Sequence, residues 1–237
     1  MIILNLTRFV IVYIVQGLVF IMCIFLAFKT IKRNRKRLNM IFGSFYACIA
    51  FGLFINFIYA PFDDALFVLY LNFVTNYSLF LCPIFIVIFN LILLKSEKII
   101  TSSKQLAIIL IYGAIIFGTF FLLFGVNTGV EIGVAPNFSP HWFIPFYLYA
   151  MIAFNLVWVV AIYFALKIYR KFEDEQLKKK WKFWVIGILE LVIFGDGNFT
   201  MNLLDISTLR TLWGIIGLIL VITGSYLLYY GVGKQLS

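Results

Sequence analysis

Two acidic residues, Glu190 and Asp196, sit inside an apolar run long enough to cross a bilayer. Insertion scales charge roughly 2.5–3.5 kcal/mol for an acid at a helix centre, so each one needs a partner, a proton or a polar cavity. At 100° per residue, Glu190, Asn198, Asn202 and Asp205 fall within about 120° of one another on a helix. They form a polar stripe along it. Asp196 points elsewhere on a regular helix, but Gly195 and Gly197 flank it, and a Gly-Asp-Gly triplet is where a helix can deform and turn backbone groups toward a cavity. Other polar residues at comparable depth are Asn72, Thr75, Asn76, Tyr77 and Ser78 in an upstream apolar run, and Arg210 just downstream, within reach of Asp196 or Asp205. These spacings lead us to expect an outward-facing polar pocket of Asn72, Asn76, Glu190, Asp196, Asn198, Asn202 and Arg210, beneath the loop 125–141. The competing expectation is that the same groups bond across helices as glue, worth about 0.6 kcal/mol each.

Other chemistries lack their residues. A retinal Schiff base needs a lysine partway along an apolar run, and every lysine here is in a loop or near the C-terminus. The single histidine, His141, lies in a loop, which argues against a haem or metal centre. The FGDG sequence ending at Gly197 matches the G-x-G-D motif of intramembrane aspartyl proteases only superficially: Ile193 stands where glycine is needed, and no neighbouring span supplies a second aspartate. No phosphate-cradling loop and no G-x-S-x-G elbow occurs. Cys23, Cys48 and Cys82 all fall in apolar runs without a C-x-x-C pair and read as small buried hydrophobes. The sequence therefore points away from an enzyme, and neither cofactor nor metal is expected.

The elements that must position the acids follow from composition. With 64% hydrophobic and 12% charged residues and a mean hydropathy of +1.05, the chain cannot coat a water-exposed domain. An all-α membrane bundle is expected, one domain over residues 1–237, with seven spans at about 9–28, 38–59, 65–94, 105–124, 142–166, 183–204 and 209–230. Pro83 marks a kink in the long third span. The first span is no signal peptide, because its basic cluster follows the apolar run. The Gly, Asn and Pro residues of 125–141 read as irregular structure. Asn5-Leu6-Thr7 fits a glycosylation acceptor.

The formal charge of +9 does not signal nucleic acid. Seventeen of the nineteen basic residues fall in loops 1–2, 3–4 and 5–6 and the C-terminal tail, and only Arg8 and Arg210 lie on the other side. The positive-inside rule then places the N-terminus outside and the C-terminus in the cytoplasm. Trp181 and Trp184 mark the inner boundary, Trp142 and Trp213 the outer one. Glu173, Asp174 and Glu175 are spaced to pair with lysines along a helix surface.

Several stretches carry a family resemblance: PHWF (Pro140–Phe143), the tyrosines of FYLY, QLKKKWKFWVIG before a glycine-spaced seventh span, CPIFIVIFNLILL (82–94) and RKRLNMIFG. Together they resemble the seven-helix membrane region N-terminal to the kinase part of prokaryotic sensor histidine kinases, over about residues 8–233. The resemblance implies a sensory input module in the cell membrane. The sequence stops a few residues after the seventh span, without a phospho-accepting histidine or an ATP-binding domain, so kinase activity is not implied. A stimulus would shift spans five to seven about hinges at Pro83 and Gly195–Gly197. The expected partners are the lipid bilayer, a separate kinase or other cytoplasmic signalling protein, and a second copy in a homodimer; nucleic acid is not among them.

Two other functions compete. Spans one to three and five to seven share an orientation around a lone fourth span, the parallel-repeat geometry of small-solute transporters, with Asn56 and Asn198 at comparable depths. The Pro-Gln dipeptide of small sugar carriers is absent. A structural subunit of a membrane complex would instead turn polar residues outward. The orientation is directly testable: a membrane-impermeant maleimide should label a cysteine placed at His141 in intact cells, and one at Lys179 only after permeabilisation.

Overall fold

The structure, a computed structural model, describes residues 6–33, 36–62, 64–133 and 140–232. Asn5 of the glycosylation triplet, Arg35 of the first basic loop, residues 134–139 of the connection between spans four and five, and the tail 233–237 lie outside the described residues.

Hydropathy drives the architecture. Seven helical segments are long and apolar enough to cross a bilayer, and the chain, 84% helical, is an all-α multi-pass membrane bundle. The first span joins a short helix α1 (Leu6–Phe9), a π-helical stretch (Val10–Val15) and α2 (Gln16–Arg33). The second span is α3 (Arg37–Tyr59). The third is split into α4 (Ala65–Leu81) and α5 (Pro83–Lys95), as the missing N–H of Pro83 leads one to expect. Cys82 between them keeps helical dihedrals (φ −57°, ψ −38°), so the proline interrupts the hydrogen bonding while the residue before it stays in the helical region. The fourth span is α6 (Ser102–Leu123), followed by strands β1 (Val130–Ile132) and β2 (Pro140–Trp142). Helices α7 (Ile144–Tyr169), α8 (Glu175–Leu204) and α9 (Ser207–Gly231) complete the set.

Three local features depart from the sequence reading. The connection expected to be irregular contains an antiparallel pair, with Val130 opposite Trp142 and Glu131 opposite His141. Alternation explains it: Val130 and Trp142 are buried while Glu131 is exposed. Trp142 thus ends a strand, and the fifth helix begins at Ile144 with Pro145 in its first turn, where the missing N–H has no helical partner to lose. At the other end of the bundle, α8 starts about two turns before the apolar run. Asp174 caps it, accepting from the backbone N–H of Gln176 (2.7 Å) and Leu177 (3.1 Å), while Lys178 reaches Glu175 at 3.2 Å in the expected i,i+3 pairing.

The spans are not equivalent. The second and third are 56% and 61% buried, the first, fourth and seventh each 28%, so α3 with α4–α5 forms the centre and the others surround it. Between helices in lipid, attraction comes from close packing, not from expelling water. The tightest approach joins α8 to α9. A Cβ added to Gly187 would lie 2.7 Å from the Gly224 carbonyl oxygen, and one on Gly231 2.8 Å from that of Lys180. Gly217, Gly224 and Gly231 recur every seven residues along this seam, the period that keeps one face of a helix against a left-handed neighbour. Gly224→Leu is therefore expected to cost about 1–3 kcal/mol through overpacking. Gly214→Ala, whose Cβ would meet nothing within 4 Å, should be neutral or stabilising by up to about 1 kcal/mol. Unfolding in detergent micelles compares the two.

Candidate functional site

Helix α8 positions both acids, and it does so without a break. It is continuous from Glu175 to Leu204, which corrects the expectation that Gly195–Gly197 deforms the helix and exposes backbone. The two glycines serve packing. A Cβ on Gly195 would lie 2.5 Å from the Phe154 ring of α7, and one on Gly197 would run into the Trp213 indole of α9. Aromatic rings from both flanking helices can then lie against α8 on either side of Asp196.

Because α8 is regular, six residues turn Glu190 and Asp196 about 120° apart, toward different neighbours. Asp196 faces α7, where its Oδ1 accepts from Asn155 Nδ2 at 2.8 Å; the same amide nitrogen also donates to the Met151 carbonyl at 3.1 Å. One turn on, the Thr200 hydroxyl donates to the Asp196 carbonyl (2.8 Å) and lies 3.3 Å from the Tyr147 hydroxyl, a second polar link between α7 and α8. Glu190 faces α9, with its Oε2 2.6 Å from Thr223 Oγ1. Glu190 is half-buried and Thr223 exposed, so this pair opens on the lipid-facing surface.

Arg210 pairs with Asp205, as one of the two expected options, at 2.9 Å. It also donates from Nε to the Met201 carbonyl (3.1 Å) and from its terminal nitrogen to the Pro140 carbonyl of β2 (2.7 Å). Asp205 ends α8 in the left-handed conformation (φ 52°), which aspartate tolerates better than most residues, and His141 Nδ1 lies 4.0 Å from it. The cation thereby ties the hairpin to the α8–α9 turn.

In the third span, Asn76 donates to Asn72 Oδ1 (2.9 Å), Asn72 donates to the Tyr59 hydroxyl (2.9 Å), and Thr75 donates to the Gly52 carbonyl (3.2 Å). The last two bonds join α4 to α3, and the first, within α4, holds Asn76 on the amide that makes one of them. Asn198 and Asn202 are half-buried and make no side-chain hydrogen bond to the described residues. The hydrogen bonds of the expected pocket residues thus do not converge: Asn72 and Asn76 belong to an α3–α4 group, Asp196 to an α7–α8 pair, Glu190 to an α8–α9 pair and Arg210 to the latch on the hairpin, while Asn198 and Asn202 join none of them.

The space between the third and sixth spans is filled by rings. Phe199 of α8 meets Phe80 of α4 edge-on at 4.9 Å, Phe154 of α7 at 4.9 Å, and stacks on Trp142 of β2 at 5.3 Å. Trp142 is fully buried, so the hairpin closes this end of the bundle with an indole. One apolar surface hollow, about 480 Å³, lies between α2 and α3 against Phe20, Ala27, Ala50 and Phe54; another, about 250 Å³, lies between α5, α6 and α7. None of the seven residues lines either. Among the described residues, no three His, Cys, Asp or Glu side chains converge as metal ligands would.

Asn155 and Thr223, the partners of the two acids, were not singled out from the sequence. Asn155 carried a signal, being an amide in the middle of an apolar helix; Thr223 carried almost none, since a threonine bonding back to its own helix is ordinary in membranes. Compared with known proteins, the chain matches no family model, no curated protein and no solved structure. The Asp196–Asn155 bond can be measured alone. In a double-mutant cycle of Asp196→Ala and Asn155→Ala, the coupling energy should be about 0.6 kcal/mol and no more than about 1.7, the average and the maximum for interhelical bonds in membrane proteins.

Proposed function

We propose that the chain is a non-catalytic membrane sensor or receptor-like module, akin to the input region of prokaryotic membrane histidine kinases. A stimulus at the hairpin end or within the bilayer moves α8 and α9 against α7, and a separate cytoplasmic partner reads the displaced basic end. The observation that carries this reading is the Asp196–Asn155 bond, a link between two side chains that joins α7 to α8 at an intramembrane acid. Backbone packing along Gly187 and Gly224 makes α8 and α9 one unit, whereas polar side-chain links to α7 can open and close. A signalling change requires such a pair of states, with the stimulus favouring one of them.

A solute carrier draws less support. Repeats of three helices should be buried alike, but the second and third spans are 56% and 61% buried and their counterparts, the sixth and seventh, 33% and 28%. Asn56 donates to Gln16 of the first span, while its counterpart Asn198 has no such bond to the described residues. A structural subunit is the second reading, favoured by the outward exposure of Thr223 beside Glu190.

Spin labels on cysteines at Lys167 and Lys179, in a background lacking the native cysteines, report the α7–α8 separation in nanodiscs. The sensor reading expects two distance populations whose ratio shifts in Asn155→Ala. One population that ignores the substitution, or solute flux into proteoliposomes, would overturn it.

A further inference from the structure

The Thr223 hydroxyl has one proton and three acceptors within reach. Its oxygen lies 2.7 Å from the Ile219 carbonyl one turn back, 3.3 Å from the Leu220 carbonyl and 2.6 Å from Glu190 Oε2. If threonine donates to its own helix, the usual bond for a membrane threonine, the contact with Glu190 needs a proton from the carboxyl group. A neutral Glu190 donating through Oε2 to Thr223, which donates to Ile219, gives each of the two hydroxyl protons its own acceptor.

The surroundings favour the same assignment. Glu190 lies at the middle of α8, eight residues, or about 12 Å, from Lys182 of the basic collar. Among the described residues no ion pair reaches it, and the groups that α9 presents to it are the Thr223 hydroxyl and the backbone at Gly224. No cation offsets a charge there, and Thr223 is exposed on the lipid side. Acids inside membranes ordinarily face the bundle interior. This one opens outward along the α8–α9 seam.

We propose that Glu190 and Thr223 form a proton-binding site within the apolar part of the sixth span, with the neutral carboxyl reachable from the lipid phase. The ligand is the proton itself. The site stands on its own contacts and holds whether or not the module is a sensor.

A lipid-soluble carbodiimide tests both properties. A neutral carboxyl adds across one C=N bond: its proton goes to nitrogen and its oxygen to the central carbon, and migration of the acyl group to nitrogen leaves a stable N-acylurea with nothing expelled. Dicyclohexylcarbodiimide added to membranes should modify Glu190, a water-soluble carbodiimide should not, and Glu190→Gln should lose the adduct entirely. Infrared spectra of protein carrying ¹³C-carboxyl glutamate supply a readout without a reagent. The isotope-shifted carboxylic-acid band should be present at neutral pH, disappear in Glu190→Gln and persist in Asp196→Asn. Both variants are near-isosteric, and retention of the helical circular dichroism spectrum in detergent confirms their fold. A residue 190 left unmodified by the apolar reagent, or an infrared band unchanged in Glu190→Gln, would overturn the site.

Discussion

The approach of α8 to α9 at Gly187 and Gly224 governs what the intramembrane acids can do. With no Cβ on either glycine, the two backbones come within contact distance, and the rotation of α8 about its own axis is fixed. Glu190 lies three residues beyond Gly187 and emerges along the seam opposite Thr223, which immediately precedes Gly224. Asp196 is then carried about 120° round, to the side where Asn155 of α7 waits. A larger residue at either glycine would push the helices apart and separate the Glu190 carboxyl from the Thr223 hydroxyl. The packing of small residues and the placement of polar groups are one arrangement.

Long-range order was legible where it depends on hydropathy. Seven apolar runs became seven spans, Pro83 interrupted the third, and basic stretches extended the helices at one end. Two features remained hidden because their signals are tertiary. Val130–Ile132 and Pro140–Trp142 are too short for periodicity to register, and they pair because Trp142 finds a socket among Phe80, Phe146 and Phe199. The Gly-Asp-Gly triplet suggested a deformable helix, yet Phe154 and Trp213 occupy the space that side chains at 195 and 197 would take. A glycine in a membrane helix has two explanations, bending or close packing, and only the neighbouring helices distinguish them.

The polar residues show the same division. Helical geometry correctly separated Glu190 from Asp196, since that angle depends on α8 alone. It could not say which helix each would meet. Asn72 and Asn76 looked toward the sixth span only while the order of packing was unknown; beside α3 they extend a chain of donors to Tyr59. Arg210 likewise found the Pro140 carbonyl of a hairpin that had no place in the sequence reading.

The contrast between the two faces of α8 bears on where movement can occur. Toward α9, backbone meets backbone over much of the helix, and any sliding would carry Gly187 past side chains that cannot fit there. Packed interfaces of this kind do not deform gradually. Toward α7, the polar contacts are the Asp196–Asn155 bond, the weaker Tyr147–Thr200 contact and, nearer the basic end, the Trp181 indole N–H donating to the Ala165 carbonyl at 2.7 Å, set among aromatic rings that can change tilt without leaving the interface. A rearrangement of the bundle is therefore easiest as a motion of α8 and α9 together, with the acid on the α7 side breaking its bond and the acid on the α9 side keeping its own. Two carboxyl groups on one helix, six residues apart, thus occupy mechanically opposite positions: one spans a joint, the other lies within a rigid part.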